Sequence, residues 1–416
     1  MPTLKPYQIE GVEFALRENA PNVMIADEMG LGKTAQAIEV INRTTPNSVL
    51  IVCPASLKIN WFRELELWLR YYYTIGIACG KTWPDSEINI VNYDILKNFN
   101  EINKEWDLII FDESHYMKNT KAKRTKLALK IPSRKRIFLS GTPIVNRPID
   151  LYPVLQSCYP KSIKSYKWYA EKFCNAYYTP YGLDVSGASN MKEFNQGLKK
   201  FMIRRLKKDV LKELPDKIRQ VIELPAGRKL LKAEREAMEG RSYEDTVADM
   251  DHSVADFQEM AQARHETSLA KIPAVVDFVK DALESSEKIV VFAHHRDVIA
   301  ELDKALGVNT VVVHGGCSQH KRQWCVDQFQ NNEKVRVFIG NIQAAGVGLT
   351  LTAASHVIFA ELDWVPGNMA QAEDRCHRIG QEDSVLIQHL VLEGSLDAYM
   401  AKILIKKQAV LDAALN

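Results

Sequence analysis

Short apolar runs alternate with longer amphipathic segments along most of this 416-residue chain. A short apolar run followed by a helix-length segment is typical of a βα unit, and repeated βα units predict a mostly parallel sheet. One series has runs at residues 23–26, 49–53, 88–91, 108–111 and 137–139. A second series has runs at residues 289–293, 310–313, 335–339, 356–360 and 385–392. The chain is therefore predicted to be an α/β protein with two lobes in tandem.

The stretch between the two series has a different character. It includes an aromatic segment at 158–183 and a polar segment rich in helix-forming residues at 225–270. We interpret them as helical inserts, one at about 155–212 in the first lobe and one at about 225–270 near the start of the second. Pro215 interrupts a basic helical segment, so the boundary is expected beside it. The predicted lobes are residues 1–215 and residues 216–416.

Composition excludes several classes of protein. The formal net charge is only +2, so any polyanion must be recognised by local patches. The seven cysteines form no C-x-x-C pair, which disfavours both a zinc site and a disulfide framework and indicates a reducing, intracellular compartment. No apolar run approaches the length of about 20 residues that a membrane-spanning helix needs, and the N-terminus lacks a signal-peptide core.

The segment Asp27-Glu28-Met29-Gly30-Leu31-Gly32-Lys33-Thr34 lies between a predicted strand and a predicted helix. This is the context of a phosphate-binding loop, in which glycines let backbone N–H groups turn towards phosphate oxygens. Lys33 is then suited to contact the terminal phosphates, and Thr34 to bind Mg²⁺. Asp27 occupies the position where the usual pattern has glycine. The alternative is a glycine-containing turn around a buried lysine.

A second candidate site element, Asp112-Glu113-Ser114-His115, follows the apolar run at 108–111. In doubly wound sheets ligands bind at the carboxyl ends of the strands. Asp112 is a candidate Mg²⁺ ligand, and Glu113 is a candidate base that orients and deprotonates the attacking water. An acidic pair in this position is alternatively a helix N-cap. The phosphate-loop pattern upstream favours nucleotide hydrolysis.

The second lobe carries Arg375 and Arg378 within residues 371–381. On a helix, residues three apart share one face, and two guanidinium groups suit phosphate oxygens. An arginine can stabilise the charge that develops during phosphoryl transfer. Taken alone, the pair also fits a solvated helix face.

In their order along the chain, these segments resemble the SNF2 family of superfamily 2 helicase-like ATPases, from residue 4 to residue 381. Motif I is the phosphate loop and motif II is residues 112–115. Tyr7-Gln8 is similar to the Q motif, residues 51–57 to motif Ia, residues 140–143 to motif III, residues 346–350 to motif V, and residues 371–381 to motif VI. The ending Arg378-Ile379-Gly380-Gln381 is especially similar to that family.

Finer features resemble one branch of that family. Motif II reads Asp-Glu-Ser-His, and the segments at 269–275, 341–346 and 359–362 resemble the same branch. This is similar to the branch that includes SMARCAL-type annealing helicases and their zinc-finger-bearing relatives. No zinc finger, chromatin-reading module or nuclease tail is evident in the sequence. A bare motor is expected, located in the cytoplasm or nucleoid of a bacterium or in a phage-infected cell, or in the nucleus of a eukaryote.

The resemblance implies two RecA-like lobes with ATP and Mg²⁺ held in the cleft. The adenine and phosphate positions would then involve Gln8, Gly30, Gly32, Lys33 and Thr34, with Mg²⁺ at Thr34 and Asp112. Glu113 would be the base. The second lobe would contribute Arg375 and Arg378, with Gly348 near the nucleotide.

The local charge pattern favours a polyanionic partner, which the resemblance implies to be duplex or forked DNA. Residues 118–136 contain no acidic residue, and residues 199–212 carry seven Lys or Arg against Asp209 alone. Phosphate contacts supply affinity without reading sequence, as a translocating motor requires. The candidate DNA contacts are Lys58, Lys118, Lys121, Arg124, Thr350 and Trp364. A solvated helix face is the alternative for the charge runs.

Three functions remain open on the sequence alone. The first is a DNA-stimulated ATPase that translocates on duplex or forked DNA and remodels or anneals it. The second is a strand-separating superfamily 2 helicase or the motor of a restriction system. The third is an ATP-gated DNA-binding switch, against which the intact Lys33, Glu113 and Arg378 argue.

Overall fold

The computed structural model describes residues 2–18, 22–144, 147–160, 162–180, 182–211, 213–225, 262, 264–345, 349–363, 365–399 and 401. They belong to two compact units, one ending at Glu213 and the other beginning at Leu214. Gly348, Trp364 and nearly all of the polar segment at 225–270 lie outside the described residues.

The first unit is built on a seven-stranded sheet with the strand order β3-β4-β2-β5-β6-β1-β9. All the strand pairings in this sheet are parallel. The strands are β1 (Asn22–Ile25), β2 (Val49–Cys53), β3 (Ile75–Ile77), β4 (Ile88–Asn92), β5 (Trp106–Phe111), β6 (Ser133–Leu139) and β9 (Met202–Ile203). Every residue of β2 and β4 is buried, which explains their continuous apolar runs.

Helices cover this sheet and connect its strands. The α-helices of the first unit are Pro6–Leu16, Lys33–Thr44, Lys58–Trp68, Lys123–Lys130, Tyr152–Cys158, Tyr166–Phe173, Met191–Leu198 and Lys207–Val210. The segment predicted to be a helical insert also contains an antiparallel hairpin, β7 (Tyr177–Thr179) and β8 (Gly182–Asp184). Strand β9 then leaves the insert and pairs with β1 in the main sheet.

The second unit is built on a six-stranded sheet, again entirely parallel, with the order β10-β15-β14-β11-β13-β12. The strands are β10 (Lys217–Leu224), β11 (Ile289–Ala293), β12 (Thr310–Val313), β13 (Val337–Asn341), β14 (His356–Phe359) and β15 (Val385–Leu392). Helices in the described part of this unit include Ile272–Ser285, Arg296–Leu306, Gln319–Asn331, Ile342–Ala345 and Pro366–Glu373.

The predicted fold class, two α/β lobes with mostly parallel sheets, is confirmed. Every apolar run of the two series overlaps a strand of the corresponding sheet. Strands β3, β9 and β10 were not predicted. Strands β3 and β9 are very short, and β10 exposes most of its side chains at the sheet edge, so none of the three shows a continuous apolar run. Among the described helices, none has both the length and the apolar character required to cross a membrane.

Candidate active site

The phosphate loop leaves the carboxyl end of β1 and runs directly into the helix Lys33–Thr44. Gly30 and Gly32 have φ angles of 82° and 76°, a left-handed conformation that costs glycine little and other residues more. Because Gly32 is the N-cap and has no side chain, the helix starts without a side-chain cap. A helix N-terminus preceded by such a loop is suited to bind an anion.

The Q-motif residues Tyr7 and Gln8 both donate hydrogen bonds to this loop. Gln8 is buried, and its Nε2 donates to the carbonyl of Leu31 at 3.1 Å, while the Tyr7 hydroxyl donates to the same carbonyl at 3.2 Å. A side chain at Gly32 would clash with the Gln8 amide. Burial, together with the charge of Asp27, raises the pKa of Tyr7 to about 12, so its hydroxyl stays protonated and keeps donating.

The Lys33 ammonium is buried beside the carboxylates of Asp27, Asp112 and Glu113. Its Nζ donates to the carbonyls of Asp27 at 2.8 Å and Glu28 at 3.3 Å. A Cβ on Gly141 in motif III would stand 2.4 Å from Met29 Cγ and 3.2 Å from this Nζ, so a side chain there would crowd both residues. Burial lowers the pKa of Lys33, while the nearby carboxylates of Glu113, Asp27 and Asp112 act in the opposite direction.

Asp112 follows the last residue of β5 and is fixed by three donors. Trp61 Nε1 donates to Oδ2 at 2.8 Å, the backbone N–H of Glu113 donates to Oδ1 at 2.9 Å, and the Tyr93 hydroxyl donates to the Asp112 carbonyl at 2.9 Å. Burial, and then the charge of Glu113, raise the pKa of Asp112 to about 6. The carboxyl is therefore mainly ionised at neutral pH, and the Trp61 bond favours this form.

Trp61 is a residue of the candidate site that the sequence analysis did not identify. It is fully buried on the helix Lys58–Trp68, and 51 residues separate it from Asp112. A pattern of local spacing carries no information about such a contact.

Glu113 has a left-handed backbone, with φ of 48° and ψ of 52°. This conformation costs a non-glycine residue about 1–2 kcal/mol, and such strain is concentrated at functional sites. The carboxylate is buried, and its Oε2 lies 3.2 Å from His115 Nδ1. His115 Nδ1 is also 3.2 Å from the Ser140 hydroxyl, which accepts from the backbone N–H of Thr142. Motif II and motif III are thus joined through His115.

Asp27, the departure from the usual glycine pattern, is the anchor of a buried ion pair. Its carboxylate is completely buried and faces Arg205, whose Nε and Nη2 donate to Oδ1 and Oδ2 at 2.9 and 2.5 Å. Gln36 Nε2 donates to Oδ2 at 2.9 Å, and Arg205 also donates to the Tyr7 carbonyl. A glycine in place of Asp27 would leave the guanidinium of Arg205 without its carboxylate.

The neighbours of Arg205 contact the loop and the residues beside it. Arg204 Nη1 donates to the carbonyls of Ala26 at 3.0 Å and Gly141 at 3.3 Å, and the backbone N–H of Lys207 donates to Glu28 Oε2 at 2.7 Å. The basic run at 199–212 was expected to face a polyanion. Arg205 instead bonds to Asp27 of the phosphate loop, Arg204 bonds to the residue before that loop and to motif III, and Lys207 is buried.

In the second unit, the helix Pro366–Glu373 ends before the two arginines of motif VI. Arg375 and Arg378 therefore do not share a helix face, and that expectation was wrong. Arg375 is 7% exposed, its Nε donates to the carbonyl of Gln371 at 3.1 Å, and its own carbonyl accepts from Leu351 N. Arg378 is half-buried and its Nη1 donates to the Thr350 hydroxyl at 3.0 Å.

Comparison with known proteins agrees with these motifs. The model of the SNF2-related domain matches residues 7–239, more than half of the chain, and the model of the helicase conserved C-terminal domain matches residues 270–380.

The chain belongs to the SNF2-related family.

Two curated relatives of this SNF2-related protein have informative names. It is 38% identical to the DNA annealing helicase and endonuclease ZRANB3 of Mus musculus, over 99% of this chain and 41% of that protein. It is 37% identical to the SWI/SNF-related matrix-associated actin-dependent regulator of chromatin subfamily A-like protein 1 of Xenopus tropicalis, over 99% of this chain and 45% of that protein. The predicted resemblance to the SMARCAL-type branch is confirmed. The chain spans less than half the length of these relatives.

A solved structure is also similar. The Sulfolobus solfataricus SWI2/SNF2 ATPase core in complex with dsDNA is 25% identical, with a TM-score of 0.49, over 99% of this chain and 92% of that chain.

The candidate DNA contacts of this SNF2-related protein lie in different environments. Lys58 is 7% exposed and its Nζ donates to the Ala78 carbonyl at 2.9 Å, so its ammonium points into the protein and is not presented to DNA. Thr350 accepts from Arg378 and is therefore tied to motif VI. Lys118 and Lys121 are exposed. Arg124 is half-exposed, packs over the Tyr116 ring and lies 3.8 Å from Asp94.

The basic run at 118–136 is divided between surface and core. The Arg136 side chain is half-buried. It donates to the Ser133 and Ser157 hydroxyls and to the carbonyls of Leu129 and Ile131. The exposed basic side chains of the run are Lys118, Lys121, Lys123, Lys126, Lys130 and Arg134. This smaller set, rather than the whole run, can face a polyanion.

Among the described residues, no three His, Cys, Asp or Glu side chains gather as a protein-only metal centre would require. The adjacent histidines of the second unit, His294 and His295, both lie beside one carboxylate. His295 Nδ1 lies 2.7 Å from Glu361, whose other oxygen accepts from the backbone N–H groups of His294 and His295. These three residues form a structural hydrogen-bond cluster at the end of β11.

Proposed function

We propose that this chain is a DNA-stimulated ATPase that couples ATP hydrolysis to translocation on double-stranded or forked DNA, remodelling or annealing it rather than unwinding it. The observation that carries the proposal is the convergence of Lys33, the carboxylates of Asp112 and Glu113, and Gly141 on one small volume of the first unit. Membership of the SNF2-related family supports ATP as the nucleotide. The names of the curated relatives support DNA as the partner and annealing as the outcome.

In this proposal each group of the first unit has a defined task. Lys33 and the backbone of Gly30 and Gly32 bind the phosphates, and Gln8 supports the loop beside the adenine. Glu113 orients the attacking water and accepts its proton. His115 and Ser140 connect this base to motif III, which is a route by which the state of the nucleotide can affect the rest of the unit.

Thr34 and Asp112 are the residues that would hold Mg²⁺. The donor set fits a hard divalent cation, because a hydroxyl and an ionised carboxylate supply oxygen ligands and the phosphates and water supply the rest. The ion would neutralise charge on the phosphates. Trp61 keeps the Asp112 carboxylate oriented and ionised.

For the second unit we propose that Arg375 and Arg378 serve hydrolysis in different ways. Arg378 is half-buried and ends near motif V, so it is the candidate that stabilises the transition-state charge. Arg375 is almost fully buried, so its contribution is to shape the motif VI turn. Gly348 and Trp364 keep their predicted roles, near the nucleotide and at the DNA, as part of the proposal.

The DNA contacts proposed from the structure are the exposed lysines Lys118 and Lys121, together with the half-exposed Arg124. Backbone contacts of this kind supply affinity that is independent of sequence and sensitive to salt. The lobe limits of 1–215 and 216–416, and a location inside a bacterial, phage-infected or eukaryotic cell, also belong to the proposal.

ATP turnover measured with no DNA, single-stranded DNA, blunt duplex and a model fork tests the proposal, all at one low salt concentration. Strong stimulation by duplex or fork is expected, and a Glu113→Gln preparation controls for a contaminating ATPase. Stimulation by single strands alone would favour a conventional helicase, and no stimulation would favour an ATP-gated switch. A re-annealing assay on a partly melted duplex then separates annealing from unwinding.

A further inference from the structure

The helix Pro6–Leu16, which carries the Q motif, contacts the phosphate loop through its first turn. The Tyr7 hydroxyl and Gln8 Nε2 both donate to the carbonyl of Leu31. The Gln8 amide also lies beside the start of the next helix, because a Cβ on Gly32 would stand 2.3 Å from its Nε2. The position of this amide beside the loop therefore depends on where the Q-motif helix lies.

The Gln8 amide keeps hydrogen-bonding capacity after its protein contacts are made. Its Oε1 accepts from the backbone N–H of Lys5 at 2.8 Å, and its Nε2 donates to Leu31 at 3.1 Å. Within the described part of the chain these contacts use one lone pair and one N–H, so a second acceptor site and a second donor remain. A glutamine amide with both recognises adenine at N6 and N7, whereas guanine presents two acceptors, O6 and N7. Correct placement of Gln8 therefore favours adenine over guanine.

A second set of contacts fixes the same helix to the first residue of the loop. Three polar side chains that are at most 10% exposed form it, and we call it the anchor cluster: Asp27, Gln36 and Arg205. The Arg205 guanidinium donates to both Asp27 oxygens and, at 3.0 Å, to Gln36 Oε1. It also donates to the Tyr7 carbonyl. One guanidinium therefore joins the loop, the helix that follows it and the Q-motif helix.

Gly11 allows the Q-motif helix to approach the anchor cluster. A Cβ at this position would stand 1.9 Å from Gln36 Oε1 and 2.6 Å from Arg205 Nη2. Glycine weakens a helix interior relative to alanine, so packing rather than helix propensity explains a glycine here. Because the crowded atoms are the ends of two long side chains, a larger residue would displace the cluster before it disrupted the helix.

The guanidinium of Arg205 is suited to positioning because it donates in fixed directions within one plane. It can hold the Tyr7 carbonyl and the Asp27 carboxylate at a set separation. A lysine ammonium would keep a charge opposite the carboxylate, but it is a point donor on a flexible chain. Since Gln8 follows Tyr7 in the chain, a shift of the Tyr7 carbonyl relative to Asp27 also moves the Gln8 amide relative to the loop.

We propose that the anchor cluster sets a preference for adenine over guanine nucleotides, with Arg205 and Gly11 as positioning residues that hold the Q-motif helix, and with it Gln8, at the phosphate loop. The inference rests on the proposed function, which assigns this loop to ATP. Neither Arg205 nor Gly11 is given a contact with the nucleotide, and both act through Gln8. A cluster that only stabilised the first unit would not affect which base is bound.

The Gly11→Ala variant tests the packing of the helix against the anchor cluster. The added methyl group would crowd Gln36 and Arg205, whereas alanine favours the helix, so the first unit is expected to stay folded. Gly197→Ala is the matched control, since Gly197 lies in the helix Met191–Leu198 of the same unit and an added Cβ meets open space there. Melting temperature is measured for each variant. The Kd values for ATP and GTP are measured by displacement of a ribose-labelled fluorescent ATP analogue.

Gly11→Ala is expected to raise the Kd for ATP about five- to tenfold and to leave the Kd for GTP unchanged, because the loss is confined to an amide contact that discriminates between the bases. The kcat at saturating ATP and duplex DNA should match that of the parent, since Lys33 and Glu113 are not affected. The control should match the parent in every constant. Equal weakening of ATP and GTP would contradict the inference, because a general disturbance of the phosphate loop has that effect.

Arg205→Lys tests the other positioning residue without removing its charge. The preference for ATP is expected to fall by a similar factor, while the melting temperature stays close to that of the parent because a cation remains opposite Asp27. Arg63→Lys, at an exposed position, is the control. An unchanged ratio of the two Kd values in both folded variants, or a parent without preference for ATP, would overturn the inference. Absence of DNA stimulation in a parent that prefers ATP would contradict the proposed function instead, so the two failures are distinguishable.

Discussion

The phosphate loop of the first unit and the motif VI turn of the second unit both present cations, but they are built differently. The loop lies at the carboxyl end of β1, and its conformation follows from its own glycines and from the helix that starts at Lys33. The motif VI arginines lie beyond the end of a helix, in a turn held by residues far away in sequence. Lys217 is 156 residues from Glu373, and Arg219 is 154 residues from it.

This difference shows two ways of positioning a cation. At the phosphate loop, local backbone geometry does most of the positioning, and distant groups such as Arg205 stabilise the result. At motif VI, distant ion pairs hold the turn in which Arg375 and Arg378 lie. Substitutions at the loop should therefore mainly affect chemistry or folding of the first unit, whereas changes around motif VI should affect turnover without affecting nucleotide binding.

The largest effect is expected from Glu113→Gln, which removes the base and keeps the size of the side chain. Hydrolysis should fall about 10³- to 10⁴-fold, at the upper end of the range for general bases, while ATP binding is retained. Single-turnover hydrolysis and binding of a fluorescent ATP analogue measure the two properties. Glu101→Gln, at an exposed position of the first unit, is the control, and normal turnover by Glu113→Gln would rule out its role as base.

The next effect concerns the other side of the comparison. Arg378→Ala should lower kcat about 10³-fold, the lower limit for an arginine that stabilises a phosphoryl-transfer transition state, with ATP binding unchanged. Steady-state kinetics with saturating duplex DNA measure it, and Arg296→Ala on the exposed surface of the second unit is the control. Unchanged turnover would exclude Arg378 as that arginine.

Arg205→Met tests how far the phosphate loop depends on distant support. The substitution leaves Asp27 buried without its arginine, which should cost about 3 kcal/mol in the free energy of unfolding. For a unit of this size the expected fall in melting temperature is about 6–12 °C. Arg63→Met, at an exposed position, should change it little, and an equally small change for Arg205→Met would show that the loop is supported locally.

The smallest effect is expected at Trp61. Trp61→Phe keeps the ring and removes the Nε1–H that orients Asp112, so the Mg²⁺ concentration for half-maximal turnover should rise about tenfold, as for other groups that orient a metal ligand. A Mg²⁺ titration of ATP turnover measures it. Trp68→Phe removes an indole donor on the same helix that bonds Glu64 instead, and it should leave the titration unchanged. Equal titrations for both variants would show that the indole bond is irrelevant to the metal.

Several elements could be predicted from local pattern alone. The apolar runs identified ten strands because a fully buried parallel strand needs apolar side chains on both faces. The phosphate loop and the motif II carboxylates could be placed at strand ends because their residue types and spacing are local signals. Strands β3, β9 and β10 could not be predicted in this way, since each is short or exposed and is a strand only because a neighbour supplies its hydrogen bonds.

The same limit applies to side-chain roles. Lys58 looked like a DNA contact from its position after motif Ia, yet it bonds the Ala78 carbonyl. Trp61 was not among the candidate residues, yet its indole donates to Asp112. In both cases the partner comes from another strand or loop, and spacing along the chain does not reveal it.

The sequence by itself determined the class of fold, the order of the motifs and the residue types at the candidate active site of this SNF2-related protein. Hydrophobic period, glycine conformation and residue type are local properties, and they are sufficient for those conclusions. The tertiary structure alone decided which charges are paired: Asp27 with Arg205, and Glu373 with Lys217 and Arg219. The physical reason is that the partners of a buried ion pair need only meet in space, so their separation along the chain is unconstrained.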